Sequence, residues 1–472
     1  MFQIFTNFSD MEFISETVKR LGYLFYICDP RKHNYEKLED VPDYYKDVAP
    51  IFMVTIILEQ MVRFWQKKPT FRINETMSNV FHGYLMDLSK IPFKGAEVFV
   101  YAWVYNNYRL IELPWNSPWT WLLAWITTDF CFYWMHRMTH QVNILWAIHE
   151  PHHTPEEMQF SSPMRNSILL IPIHWLTYVP LALVIPPTTF LVHYQITIIY
   201  QYWLHTEIIG KLPAPIEFFL STPSHHRAHH GRNRRYIDKN FGGFLIIWDR
   251  IFGTFEAEDL EEKPLYGCTT QTKSFNPLII QTQHFIRIWK RFCEYEKWSD
   301  KLSAVFKGPG WTPGSPWTGN IEDVPHPAPH FELYNPNMSI FRKLYSMAHF
   351  LILIITYQLL TWNMTVSMQK IYSRKSLILP KSIINPIACF ICYTSISLGF
   401  VLDKSRYGPP FEFLRCVIYF LVDRIIYPEI RNYRLAMLFL YLSRAWFSAT
   451  LAMWASWYLV RSLRKINKEK NS

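Results

Sequence analysis

Histidines at helical spacing carry most of the chemistry this chain can do. In HRMTH, His136 and His140 stand at i and i+4. In HEPHH, His149, His152 and His153 stand at i, i+3 and i+4, and in SHHRAHH, His226, His229 and His230 repeat that pattern beside His225. Residues three and four apart share a helix face, so each cluster can aim two or three imidazoles at one point. His205 closes a long apolar stretch and adds another. Nine well-placed imidazoles, with His225 as a tenth candidate, exceed the shell of one ion, so the pattern predicts two metals. Imidazole suits zinc, copper, iron and nickel, which leaves the metal open. A bland origin as basic surface residues or phosphate contacts explains one pair, but not three clusters at matched spacing.

HEPHH also fits H-E-x-x-H, in which two histidines bind zinc and the Glu serves as general base of a protease. That motif must be helical. Pro151 at its centre removes a donor and clashes with the preceding turn unless it begins the helix, and a protease leaves most of the other histidines without a role. Glu150 with His153 forms a lone E-x-x-H, whereas carboxylate di-iron bundles need two such pairs. Asp129 lies seven residues before His136, so a helix puts Asp129, Tyr133, His136 and His140 on one stripe. A carboxylate there is expected to accept a ring N–H from a ligating histidine; Glu207 and Asp249 are weaker candidates for the same role.

The elements that position these residues are apolar runs long enough to cross a bilayer, for which a helix needs about 20 residues. Asn166 to Thr206 contains no Asp, Glu, Lys or Arg, and Pro186-Pro187 should divide it into a membrane hairpin. Leu113 to Met135 is interrupted only by Asp129, and Val48 to Trp65, with Glu59 and Arg63, is a weaker span. A second block follows in Leu344 to Gln369, Ser382 to Leu402, Phe411 to Tyr427 and Leu435 to Val460, although the charges of Phe411 to Tyr427 count against its crossing. The basic loop 370 to 381 complicates a simple four-crossing block. Two crossings of the hairpin return the chain to one face, so all three clusters and His205 can meet there. Arg137, Arg165, Arg227, Arg232, Arg234, Arg235 and Lys239 lie on that face, which the positive-inside rule assigns to the cytosol.

Composition agrees. Of 472 residues, 50% are hydrophobic and only 18% charged, with 19 Trp, which excludes collagen, coiled coil and a disordered chain. The formal charge of +10 suits an anionic lipid surface or nucleic acid, and the spans favour lipid, so no nucleic-acid partner is expected. Seven scattered cysteines argue for free thiols over a disulfide framework, and Cys389-x-x-Cys392 lies inside an apolar run with no second pair. The opening MFQIFTNFSDMEF has no basic n-region, so no signal peptide is expected, and Phe2 excludes N-myristoylation.

The histidine boxes, with the stretches DFCFYWMHRMTH, IPPTTFLVHYQITIIYQYWLHTEI, TPSHHRAHHGRNRRYIDKNFGG, FLIIWDRIFGTFEAE and GPGWTPG, resemble the membrane fatty acid hydroxylase and sterol desaturase superfamily, and within it the ether-lipid-cleaving branch. The resemblance is dense from about 100 to 320 and looser at both ends. It implies an all-α, polytopic membrane bundle with a di-iron site at the cytosolic face of the endoplasmic reticulum membrane. The implied ligands are His136, His140, His149, His152, His153, His205, His226, His229 and His230, with His225 close by. The implied reaction uses O2 and tetrahydrobiopterin to hydroxylate the ether-adjacent carbon of an alkylglycerol, releasing a fatty aldehyde. Two departures stand out. Gln201 replaces a histidine that fatty acid hydroxylases carry four residues before the His205 position. Gln141 replaces a Glu at the position tied to the pterin, for which Glu207 is the other candidate. The nearest alternative is a fatty acid or sterol hydroxylase fed by cytochrome b5; a metal-binding transporter or receptor is the alternative of another class, suggested by Arg415, Asp423, Arg424 and Arg444. The expected organisation is an entry region over 1–110, a catalytic domain over 111–307, a Pro/Gly-rich linker over 308–340, a membrane-helix block over 341–460 and a basic tail over 461–472.

Overall fold

A computed structural model describes residues 10–91, 95–326, 331–369, 381–431 and 434–470. Among these residues every regular element is helical, apart from one isolated antiparallel bridge between Leu220 and Leu245. The described chain forms two compact units that do not follow chain order. The first draws on Met1–Asn79, Ser89–Thr272 and Gln281–Leu333, and the second on Val80–Leu88, Lys273–Ile280 and Tyr334–Ser472.

Among the described residues, four helices are long and apolar enough to cross a membrane: Leu38–Trp65, Ile340–Thr361, Ser382–Leu402 and Ala436–Val460. The chain is therefore an all-helical membrane protein. In Leu38–Trp65 the two charges that weaken the pattern are turned into the protein. Glu59, 1% exposed, accepts from Phe160 N at 2.7 Å and from the Thr206 hydroxyl, and Arg63 donates to Glu207 at 2.8 Å and to Pro69 O at 2.9 Å.

The two spans expected around the histidines take a different form. Of the run Leu113 to Met135, the part from Pro118 on lies in the 24-residue helix Pro118–Gln141, which buries Thr128, Asp129, Tyr133 and His136. The hairpin does break at Pro186-Pro187, but its limbs are unequal. The first is a 9-residue helix, Leu170–Tyr178, with a 3-10 turn over Val179–Leu183; the second is the 18-residue helix Pro187–Leu204. A first limb of that length falls short of the ~20 residues a full crossing needs. Neither the hairpin limbs nor Pro118–Gln141 is among the four long apolar helices. The second limb packs into the protein core: Val192, Ile196, Ile199, Tyr200 and Leu204 cluster with Tyr44, Val48 and Trp121, and the polar Gln195 accepts from Tyr44 N at 3.0 Å.

Within the stretch 308–340, residues 308–319 form a packed loop. Gly308 N donates to Trp317 O at 2.9 Å, Trp311 is buried, and a side chain at Gly310 would meet Thr318 O at 2.6 Å.

In the second unit, the helix Gly408–Ile430 carries Glu412 and Arg415, both fully buried. They pair at 2.6 Å, Glu412 also accepts from Ser397 at 2.6 Å, and Asp423 accepts from Arg444 at 3.0 Å. Charges paired in place serve packing, so Arg415, Asp423 and Arg444 do not favour a transporter. Most of the basic loop 370 to 381 lies outside the described residues.

Candidate metal centre

Three local breaks in the chain aim the histidines at one place. The helix Pro118–Gln141 starts with Pro118, whose missing N–H costs nothing in the first turn. Val142, extended at φ −126° and ψ 118°, ends it, and Asn143–His153 departs in a new direction. Pro151 does not end this second helix, which runs on to His153 without the backbone bond that a proline cannot donate. Leu204 closes the hairpin, and His205 follows in a non-helical conformation. Pro223 opens the short helix Pro223–His229 that carries the third cluster.

The nine histidines fall into two adjacent sets. One holds His136, His140, His149, His153 and His229; the other holds His152, His205, His226 and His230. Within each set one ligand atom from every residue lies within 4.8 Å of all the others, and all nine residues are buried. The i, i+4 pairs stay together, whereas the two i+3 members, His152 and His229, each join the set opposite to their box neighbours.

Ring nitrogens face one another across each set. His136 Nε2 and His149 Nε2 are 3.2 Å apart, His149 and His153 3.3 Å, His152 and His205 3.2 Å, His205 and His226 2.9 Å, and His226 and His230 3.2 Å. A metal–nitrogen bond of ~2.0–2.1 Å places neighbouring ligand nitrogens ~2.9–3.4 Å apart. The outer nitrogens explain why these contacts call for a cation. His136 Nδ1 donates to Phe241 O at 3.0 Å, His152 Nδ1 to Arg165 O at 3.3 Å, His205 Nδ1 to Gln201 O at 2.8 Å and His229 Nδ1 to Lys239 O at 2.8 Å. A carbonyl only accepts, so in the neutral ring Nε2 is the bare lone pair. His152 and His205 thus present two lone pairs to each other, which repel unless a cation lies between. His140 Nε2 and His229 Nε2 are buried without a partner. Burial and mutual repulsion hold His149, His152, His153, His226, His229 and His230 well below the usual imidazole range, keeping them in the ligating form. The donor set fits two metal ions.

A loop from Asp238 to Thr254 supports the first set, and two buried carboxylates clamp it. Asp129 accepts from Phe244 N at 2.7 Å, Leu245 N at 3.1 Å and Trp248 Nε1 at 2.9 Å. Asp249 accepts from Phe241 N at 2.8 Å, Gly242 N at 2.7 Å and Thr254 Oγ1 at 2.7 Å. The expectation that Asp129 takes a ligand's ring proton is corrected: it fixes the loop whose Phe241 carbonyl does so. The loop lies so close that a Cβ on Gly242 would meet Leu245 O at 2.5 Å, and one on Gly243 would meet Phe132 Cδ1 at 2.7 Å.

Other candidates resolve individually. His225 joins neither set; its Nε2 pairs with Glu217 at 2.9 Å. Gln201 is no ligand: its side-chain amide donates to Gly243 O, while its own carbonyl holds His205. Glu150 turns to the helix Pro277–Glu294, pairing with Arg287 at 2.9 Å and accepting from Gln283 at 3.1 Å, so it is no general base beside His149 and His153. Glu207 pairs with Arg63. Gln141 accepts from Arg137 Nε at 3.3 Å, and its carbonyl accepts from Trp317 Nε1 at 2.7 Å.

Several supports carried no local signal in the sequence. Asp238, at φ 56°, sets a carboxylate oxygen 3.6 Å from His140 Nδ1. Trp146 lies 5.0 Å from the His140 ring and 5.3 Å from that of His153. Arg165 is buried with Glu75 at 2.6 Å and Asn79 at 2.6 Å, and Arg227 with Glu258 at 2.6 Å. These guanidiniums are internal supports, and as such they do not report which face of the membrane they lie on.

The fatty acid hydroxylase family matches residues 121–254, which contain all nine histidines. An alkylglycerol monooxygenase of Xenopus tropicalis is 40% identical over 86% of this chain and 87% of its own length. That of Homo sapiens is 40% identical over 85% of this chain and 87% of its own. Lathosterol oxidase of Homo sapiens is 28% identical over 27% of this chain and 42% of its own. No solved structure matches.

Proposed function

The chain belongs to the alkylglycerol monooxygenase family, and from that premise we propose that it hydroxylates the ether-adjacent carbon of alkylglycerols, with two irons held by the nine histidines and tetrahydrobiopterin as electron donor. The observation that carries this reading is the opposed, carbonyl-fixed imidazoles of His152 and His205, which make a ready-built cation site in an enzyme of this family. Iron, when bound, supplies O2 activation and attack on a C–H bond, which redox-silent zinc does not.

In the overall balance, one atom of O2 enters the C–H bond beside the ether oxygen and the other leaves as water, with two electrons from the pterin. The resulting hemiacetal loses its hydroxyl proton as the C–O bond breaks, and the departing glycerol oxygen takes up a proton. The products are a fatty aldehyde and glycerol. The protein's own part is positional. Phe241, Lys239, Arg165 and Gln201 orient ring nitrogens through their carbonyls, Asp129 and Asp249 hold the loop, and the burial of every ligand excludes water. Gln141 and Glu207 are the residues assigned to the pterin. The catalytic region is assigned to 111–307, and the site to the cytosolic face of the endoplasmic reticulum membrane.

The test is an assay of membranes containing the protein with an alkylglycerol. Aldehyde formed only with tetrahydrobiopterin supports the reading; a stable alcohol, or turnover on cytochrome b5 without pterin, overturns it.

A further inference from the structure

Two helices of the first unit turn apolar residues outward. From Gln281 on, the helix Pro277–Glu294 buries Gln281, His284 and Ile288, while Ile286 and Trp289 are 51% and 65% exposed and Cys293 lies on the same exposed side. A surface helix of a soluble domain does the reverse with its large apolar residues. The next helix, Trp298–Phe306, carries Trp298, Leu302 and Phe306 at i, i+4 and i+8, and they are 69%, 51% and 54% exposed. Phe292 joins the two stripes, its ring 5.7 Å from Trp289 and 6.0 Å from Trp298. The result is one apolar face across both helices.

The surrounding charge is basic. Between 281 and 307 the chain has six Lys or Arg (287, 290, 291, 297, 301 and 307) against three acids (294, 296 and 300). Lys301 lies 5.1 Å over the Phe292 ring and 5.9 Å over Trp298, its stem along apolar surface. Tryptophan beside lysine is the composition favoured at the boundary between hydrocarbon and headgroups.

This face is fastened to the metal-bearing elements. Asn143, first residue of the second-box helix, donates to Lys307 O at 2.7 Å and through its side chain to Ala304 O at 2.7 Å, and it contacts His284 at 2.7 Å. Arg287 holds Glu150, the residue after His149.

We propose that the face formed by Ile286, Trp289, Trp298, Leu302 and Phe306 is an in-plane anchor that seats the first unit in the interfacial layer of an anionic bilayer and holds the metal centre at headgroup depth. Such a seat presents the site to lipids that never leave the membrane. It depends on these two helices and not on which lipid is oxidised.

The test uses full-length protein in vesicles containing phosphatidylserine, with Cys389→Ser so that Cys293 remains the most exposed thiol among the described residues. A fluorophore on Cys293 should be quenched several-fold more by a lipid spin-labelled near its headgroup than by aqueous iodide. Trp298→Glu with Leu302→Glu should abolish the lipid quenching while leaving metal content unchanged. Quenching by iodide alone, protection from both quenchers together with cross-linking to another protein copy, or lipid quenching that survives the double substitution would each overturn the proposal.

Discussion

His152 and His205 point Nε2 at Nε2 across 3.2 Å, each with its Nδ1 proton already committed to a carbonyl. Neither ring can turn to make a hydrogen bond without giving one up. The expected metal stoichiometry is therefore two per chain, one for each set. His205→Ala should lower it to about one by removing a ligand from the four-membered set, and His140→Ala should do the same from the other. Elemental analysis of purified protein checks this, and a wild-type value near one contradicts it.

His225 sits directly before His226, a member of the second histidine set, yet is turned away to Glu217 at 2.9 Å. His225→Ala is therefore expected to retain both metals, unlike His226→Ala. Loss of a metal in His225→Ala would return this residue to the ligand set.

Asp129 binds three donors of the 244–248 segment. Asp129→Ala leaves them buried without an acceptor, at about 1–3 kcal/mol each. It should lower the melting temperature and the metal content together, because the His136 carbonyl partner moves with the loop. Asp129→Asn keeps one acceptor oxygen and should lose less. Equal effects of the two substitutions would mean that the carboxylate does not clamp the loop.

Glu59 offers a test in which hydropathy and packing point in opposite directions. Glu59→Leu improves Leu38–Trp65 as a membrane span but leaves Phe160 N and the Thr206 hydroxyl without their acceptor. Thr206 follows His205 of the second histidine set. The substitution should reduce metal content despite better hydropathy; unchanged content would mean that Glu59 does not latch the His205 turn.

Eight of the nine clustered histidines were legible from i, i+3 and i+4 spacing, which the helix itself fixes, and His205 from its place at the end of an apolar run. Their division was not. The crossing of His152 and His229 into opposite sets depends on how three short helices meet, which no local pattern records. The role of Asp129 was misread for the same reason: its partners are more than a hundred residues away, on a loop whose only local sign is the glycine pair Gly242-Gly243. Apolar runs located three spans of the second unit well, since the length and hydropathy needed to cross a bilayer constrain composition directly. They overstated the hairpin, where an apolar sequence serves a protein core as readily as a bilayer.

Donor and product separate an ether-cleaving enzyme from a fatty acid or sterol hydroxylase, since both share the metal chemistry and loss of activity in His136→Ala distinguishes nothing. Hydroxylation beside an ether oxygen cleaves the molecule, whereas hydroxylation of an acyl or sterol carbon leaves a stable alcohol. Within the favoured reading, Gln141 is the informative position. Its amide oxygen already accepts from Arg137 at 3.3 Å, so Gln141→Glu places a carboxylate beside that guanidinium, where one oxygen pairs and the other remains to accept from the pterin's N–H groups. Apparent pterin affinity should be kept or improved by Gln141→Glu and weakened by Gln141→Ala, with kcat little changed. Glu207→Gln loses its ion pair with Arg63; if Glu207 carries the pterin contact instead, this substitution raises the apparent KM for pterin and the Gln141 series does not. Measuring aldehyde formation against pterin concentration for the three variants decides between the two positions, and a series in which none shifts the pterin KM removes both from the pterin site.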